Sequence, residues 1–293
     1  MKIILNSILN KRPFIYDTRP FVETLFKEDA TNKDYTTLCI KSNRNIISAR
    51  IVAKSLAVIA GIEVMKEIFH YRDRNIVVKT HFKDGDIIKP GEELCKIRGK
   101  TSSILQAERI ALNVLQRMSG VATETFSLCK LVKGTKVRIL NTRKTTPGMR
   151  YLEKYATTVG GALNHRLNLA DGILIKENHI MAAGSIKKAV EYALHNKPDH
   201  LLIEVEVKNI PELKEVLSLP VDIIMLDNFS LDKISAAVRI TNRRKPLEVS
   251  GNVTAKNIRK ISLTGVDYIS VGAITHSAKA SDFSLLLYDD IYD

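Results

Sequence analysis

Charged and small polar residues recur in this chain at one kind of place, the end of a short apolar run. Arg143 and Lys144 follow VRILNT, His165 and Arg166 close GALNH, and Lys176 closes GILIK. Carboxylates stand at matching positions, Glu206 in LLIEVEV and Asp227 at the end of DIIMLD, with Glu204 sharing the parity of Glu206. Ser250-Gly251 and Gly272, with His276 just beyond, end the last two runs. Arg143, Lys144, Arg166 and Lys176 gathered in one mouth would repel one another unless an anionic ligand sat among them. Arg offers a planar fork for carboxylate or phosphate, and Lys a compact charge suited to a pyrophosphate oxygen. Any one of them alone reads as a surface cation; together at successive strand ends they read as an anion site. Carboxylates on the same rim can accept hydrogen bonds from ribose hydroxyls or hold Mg²⁺ beside a pyrophosphate. Glycoside hydrolysis by that pair is disfavoured, because the cations would lower the pKa its acid must keep high. The Ser-Gly and Gly turns suit a phosphate held by loop amides, where glycine lets backbone come close.

The elements that must position these groups follow a βα grammar after Gly134. Strands are expected at 137–142, 161–165, 172–176, 201–207, 222–227, 246–251 and 268–272, with amphipathic helices at 185–195, 210–217, 231–241 and 255–263. Such alternation means a parallel sheet. A barrel fits better than a Rossmann sheet, since no GxGxxG opens a helix and polar residues recur at the strand C-termini. Seven strands rather than eight imply either an incomplete barrel or one further strand that the pattern does not reveal. The first hundred residues read as a mixed α/β unit: helical spacing at Phe21 to Phe26, a polar loop EDATNKDYTT, strands at 46–52 and 76–82, and a helix over 56–69. Asp84-Gly85 and Pro90-Gly91 then punctuate short β-runs. A helix over 103–130 is expected to break near Ser119-Gly120. The domains so defined are 1–117 and 118–276, with a tail, 277–293, that packs with the first. On the long helix, Arg109 and Arg117 read from spacing alone as snorkelling side chains.

Composition narrows the classes. The chain has 293 residues, 45% hydrophobic and 26% charged, which excludes general disorder. No apolar run is long enough to span a membrane and the N-terminus lacks a signal-peptide pattern, so a cytoplasmic protein is expected. Cys39, Cys95 and Cys129 have neither CxxC spacing nor an even count, and are read as packing residues. The formal charge of +13 suits either nucleic acid or small polyanions. Trp is absent and aromatics are 6%, without a base-stacking or helix-turn-helix motif, so small polyanions are preferred.

The segments AERIALNVLQRMSGVAT, NTRKTTPGMRYLEKYA, GGALNHRLNLADGILIKENHI, IEVEV, IIMLDN, EVSGNV and GVDYISVGAITHSA together resemble the quinolinate phosphoribosyltransferase family, collinearly from about Asp29. The resemblance implies an N-terminal α/β sandwich, a C-terminal incomplete α/β barrel, and a homodimer. It also implies the reaction of quinolinate with phosphoribosyl pyrophosphate and Mg²⁺, giving nicotinate mononucleotide, pyrophosphate and CO2 in de novo NAD biosynthesis. By position, Arg109 resembles an arginine given across the dimer interface, and Arg143, His165, Arg166 and Lys176 resemble residues gripping the quinolinate carboxylates. Lys144 matches a pyrophosphate-side residue, Glu206 and Asp227 the carboxylates for ribose and metal. Ser250, Gly251, Gly272 and His276 match the 5′-phosphate pocket. Departures are Asn141 where the family usually has Asp, Asn252 where it has Gly, and Asn32-Lys33 in a loop that usually contains glycine. A molybdenum-transport-associated relative of the same fold is the alternative enzyme; the KENH segment at 176–179 favours the quinolinate reading.

Overall fold

The computed structural model describes residues 1–40 and 45–288. In chain order the first elements are β1 (Lys2–Ser7), β2 (Asn10–Asp17), α1 (Arg19–Glu28), α2 (Tyr35–Cys39), β3 (Ile46–Ala53), β4 (Ala57–Val58) and α3 (Ile62–Arg72). Next come β5 (Val77–Thr80), β6 (Ile87–Ile88), β7 (Glu93–Lys100) and α4 (Thr101–Leu131). The repeating part runs β8 (Arg138–Leu140), α5 (Arg150–Val159), β9 (Ile173–Ile175), α6 (Glu177–Ala183), α7 (Ile186–Asn196), β10 (Ile203–Val207), α8 (Ile210–Leu217), β11 (Ile223–Asp227) and α9 (Leu231–Thr241). It ends with β12 (Leu247–Ser250), α10 (Ile258–Ser262), β13 (Tyr268–Ser270), α11 (Ala273–His276) and β14 (Phe283–Tyr288). No helix among the described residues is long and apolar enough to cross a membrane.

Two compact units divide the chain. The first takes 1–3, 15–124 and the segment from Ala278; the second takes 4–14 and 125–277. The break therefore falls at 124/125 rather than 117/118, and part of the N-terminal hairpin goes with the second unit. Residues 289–293 of the expected tail lie outside the described residues.

In the first unit an antiparallel sheet has the order β14-β3-β7-β5, and β4 pairs with β6. The expected helix over 56–69 starts late, at Ile62. Gly61 turns the chain at φ +101°, and the Asp84 carboxylate accepts the N–H groups of Gly61 and Ile62 at 3.0 Å, capping the new helix. The polar loop near 30 contains a 3₁₀ turn, Thr31–Lys33, and the short helix α2, which Asp34 caps. Helix α4 runs unbroken through Ser119-Gly120. Gly120 serves a close approach there: a Cβ would lie 2.0 Å from the Lys279 carbonyl oxygen. Arg117 Nη1 donates to the Ala278 carbonyl at 2.6 Å rather than snorkelling to water. Cys95 is buried and Cys129 half-buried, as packing residues would be, but Cys39 is exposed.

The second unit holds a six-stranded parallel sheet in the order β8-β13-β12-β11-β10-β9. The expected strand at 161–165 is reduced to isolated bridges, Leu163 with Leu140 and Asn164 with Ser7. The N-terminal hairpin joins both ends of the sheet's span: Ile8 N–H donates to Asn164 at 3.0 Å, and Leu9 accepts from Leu202 at 3.3 Å. Gly172 lies against Leu9 so closely that a Cβ would come within 2.6 Å. Period-2 alternation sends Ile203, Val205, Val207, Ile224, Leu226, Leu247, Val249 and Ile269 outward into a core shared with helix residues such as Val190, Leu213, Ile234, Ala237 and Ile258. The opposite parity faces the barrel interior, where Leu174, Lys176, Met225, Asp227, Glu248, Ser250, Ser270 and Gly272 line one cavity.

Candidate active site

That cavity, of about 680 Å³, opens at the C-terminal ends of the parallel strands. Arg143, Lys144, His165, Arg166, Lys176, Asp227, Ser250, Gly251, Gly272 and His276 all border it. Two of the sequence-expected residues do not. Glu206, on the inward parity of β10, is not among the lining residues; its carboxylate takes Lys176 Nζ in an ion pair. Arg109 belongs to the first unit, beside Glu28, Asp29 and Asn113 in a small separate pocket.

The positions of His165 and Arg166 follow from a buried network that the sequence reading missed. Asn141, fully buried at the end of β8, donates through Nδ2 to Thr157 Oγ1 at 2.7 Å and to Asn164 Oδ1 at 2.6 Å. Its Oδ1 accepts from the His165 N–H at 3.2 Å and from Lys154 Nζ at 2.5 Å. Every hydrogen-bonding site of the amide is used, so the chain at 164–165 is pinned to the end of β8. Lys154, from α5, is buried, and desolvation pushes its ammonium down to about 7 against the attraction of Asp171. The strong amphipathicity of α5, which carries Lys154 on its buried face, is the signal that could have found it.

His165 is locked by its neighbours. Nδ1 accepts the Arg166 N–H at 2.7 Å, which leaves that nitrogen without a proton, so Nε2–H donates to Glu204 Oε2 at 2.8 Å. Burial holds the ring below its ordinary pKa and therefore neutral. His165 borders the cavity as expected, but both of its nitrogens are engaged inside the protein, so a grip on a carboxylate would require one of these bonds to be given up. Beneath it lie Glu204 and Glu248, each 0% exposed. Burial raises Glu204 to about 7 and Glu248 to about 8, the latter also by the charge of Glu204. The parity of Glu204 makes it a rival of Glu206 for the rim, but the structure buries it beneath His165; Glu248, within the apolar run of β12, has no local signature.

Arg166 Nη1 donates to the Gly172 carbonyl at 3.3 Å, and burial followed by Arg143 lowers its pKa. Arg143 Nε is buried without a partner among the described residues. The mutual repulsion of these two guanidinium groups, offset in part by the Glu204 charge, favours an anionic ligand. Lys144 crosses directly over Gly272, where a Cβ would be 3.0 Å from its Cδ and 3.2 Å from the His276 ring. Thr275 Oγ1 ties the Lys144 carbonyl at 2.8 Å. Glu153 shapes the 145–148 turn by accepting from Thr146 N–H at 3.0 Å and Oγ1 at 2.7 Å.

At the phosphate-suited rim Gly251 has φ +91°, and a Cβ would fall 2.2 Å from Asn228 Oδ1. Asn252 sits at φ +53°, a left-handed conformation that Asn tolerates better than most residues, and its Nδ2 donates to Asn228 Oδ1 at 3.0 Å. The departure from Gly at 252 is thereby accommodated.

As a metal ligand, Asp227 fits: its residue borders the cavity, and among the described residues its carboxylate accepts from Asn228 Nδ2, at 3.0 Å. Glu206 does not fit in the same way, because Lys176 occupies it. The His165, Glu204 and Glu248 group brings its donor atoms within 4.8 Å of one another. It offers no imidazole lone pair, since Nε2 carries the proton.

An α/β barrel whose strand ends converge several cations and two glycine turns on one cavity defines an enzyme for polyanionic, phosphate-bearing substrates. The chain belongs to the quinolinate phosphoribosyltransferase family: the model of the family's N-terminal domain matches residues 34–119 and that of its C-terminal domain 121–286. A quinolinate phosphoribosyltransferase [decarboxylating] of Nicotiana glauca is 38% identical over 307 residues, covering 97% of this chain and 87% of its own. The nicotinate-nucleotide pyrophosphorylase of Ehrlichia chaffeensis superposes with TM-score 0.89 at 40% identity, over 93% of this chain and 99% of that one. NadC of Streptococcus pyogenes gives 0.88 at 38%, over 93% and 97%.

Proposed function

We propose that this chain transfers the phosphoribosyl group of phosphoribosyl pyrophosphate to quinolinate with loss of CO2, giving nicotinate mononucleotide and pyrophosphate. The carrying observation is that Arg143, Lys144, Arg166 and Lys176 border one cavity. Both substrates are polyanions, and the membership of the family agrees with that charge.

In this reading Arg143 and Arg166 hold the two pyridine carboxylates, with Lys176, steadied by Glu206, beside them. His165 supplies a neutral floor. The Gly251 and Gly272 turns, with Ser250 and His276, take the 5′-phosphate. Lys144 faces the departing pyrophosphate. Asp227 would hold Mg²⁺, and the ion would supply neutralisation of leaving-group charge. With the substrates so oriented, the pyridine nitrogen displaces pyrophosphate at the anomeric carbon through an oxocarbenium-like state. The quaternised ring then loses its adjacent carboxylate as CO2. Arg109 reaches a site as the partner subunit's Arg109 in a homodimer.

Incubating the purified protein with quinolinate, phosphoribosyl pyrophosphate and Mg²⁺ should yield nicotinate mononucleotide and CO2 in equal amounts. Folded protein that forms neither contradicts the proposal.

A further inference from the structure

Loss of CO2 leaves an electron pair on the ring carbon next to the quaternary nitrogen, and a proton must arrive there. Glu248 is suited to hold one. It projects from β12, is 0% exposed, and still borders the cavity. Neither of its carboxyl oxygens has a hydrogen-bond partner among the described residues. The nearest His165 nitrogen is 3.6 Å from Oε2 and already gives its proton to Glu204. An unpartnered carboxylate in such a place is costly, whereas the uncharged acid is far less so. Burial first, and then the Glu204 charge, raise its pKa to about 8, against the opposing pull of His165 and Ser270.

We propose that Glu248 is the acid that protonates the ring carbon vacated by CO2. The assignment rests on the quinolinate reading above. The bond between ring carbon and carboxylate breaks with its electron pair staying on carbon, and CO2 leaves neutral. The O–H bond of Glu248 then breaks, its proton joins that carbon, and Glu248 becomes a carboxylate. The negative charge lost from the substrate reappears on Glu248 inside the same cavity. Arg143, Arg166 and Lys176 therefore keep a counter-charge throughout. Opening of the site for product release lets solvent return the proton to Glu248.

Isotope trapping in a first turnover tests this. Enzyme is equilibrated with quinolinate in ordinary water, mixed with phosphoribosyl pyrophosphate and Mg²⁺ in excess D2O, and quenched within one turnover. Nicotinate mononucleotide from that turnover should carry protium at the vacated carbon in excess of the bulk fraction, and later product should carry bulk deuterium. In Glu248→Gln the excess should vanish and turnover should fall at least about 100-fold. Quinolinate affinity within about threefold of the parent then shows that the variant is folded. First-turnover product at the bulk isotope ratio, or trapping that survives in Glu248→Gln, overturns the assignment while leaving the overall reaction standing. Absence of any nicotinate mononucleotide from the parent enzyme overturns the reading of function, and this assignment with it.

Discussion

Lys154 Nζ lies 2.5 Å from Oδ1 of Asn141, so a buried ammonium meets an amide at the position where the family resemblance leads one to expect an acid. The same amide oxygen accepts the backbone N–H of His165. One side chain thus links an awkwardly buried charge to the floor of the cavity. Burial first, and then the charges of Arg150, Arg143 and Arg166, hold the lysine's pKa down, against Asp171.

That depression makes stability depend on pH with a definite sign. The folded lysine titrates at about 7 and the unfolded one near 10.5, so between these values the unfolded state binds more protons. The Lys154 contribution therefore rises with pH across that window and is lost as pH falls through 7. Asn141→Asp should bring the folded pKa back toward 10.5 and flatten this component. Melting temperature measured from pH 7 to 10 should climb less steeply in the variant than in the parent. Parallel profiles would show that the amide is not what leaves the lysine exposed to desolvation.

Gly251 combines a left-handed φ with a neighbour that would meet any Cβ at 2.2 Å. Gly251→Ala should cost at least about 1 kcal/mol, or roughly 2–4 °C in melting temperature. It should also raise the KM for phosphoribosyl pyrophosphate at least about tenfold, with little change in that for quinolinate. Equal change in both would argue that the turn does not hold phosphate.

Much of the barrel was legible because parallel strands covered by helices are near-continuous apolar runs, and helices α8 and α9 fall at their expected limits, 210–217 and 231–241. The cationic rim was legible for a related reason: residues at strand ends share a face whatever their distance in sequence. What stayed hidden depends on three-dimensional proximity. Glu204 and Glu248 sit on strands separated by β11 and meet only when the sheet curls. The unbroken helix through Gly120 looked broken because glycine lowers helix propensity, while its actual reason is the Lys279 backbone 159 positions later in sequence.

Gly120→Ala provides a check on that reason. A Cβ there would meet backbone, at 2.0 Å from the Lys279 oxygen and 2.9 Å from the Ala280 Cα, so propensity gain should be outweighed. We expect a loss of about 1–3 kcal/mol in chemical denaturation. A neutral or stabilising result would place the cause in local helix propensity instead.

Arg109 belongs to the first unit, whereas the cavity residues belong to the second. If the homodimer shares its sites, inactive Arg109→Ala and Lys144→Ala proteins should regain activity when mixed, because a hybrid dimer contains one intact site. Recovery should approach about a quarter of parental turnover at full random exchange, since half the dimers are hybrid and each has one site of two. No recovery after subunit exchange has been verified would contradict a shared site.

The most direct test of the cationic cavity is calorimetric titration of quinolinate into the parent protein and into Arg166→Ala, with nicotinate as the singly carboxylated comparison. Quinolinate should bind the parent more tightly than nicotinate does, and Arg166→Ala should weaken it at least about tenfold and erase most of that preference. Unchanged quinolinate affinity in the folded variant would contradict the account, because the guanidinium would then not be reading a carboxylate.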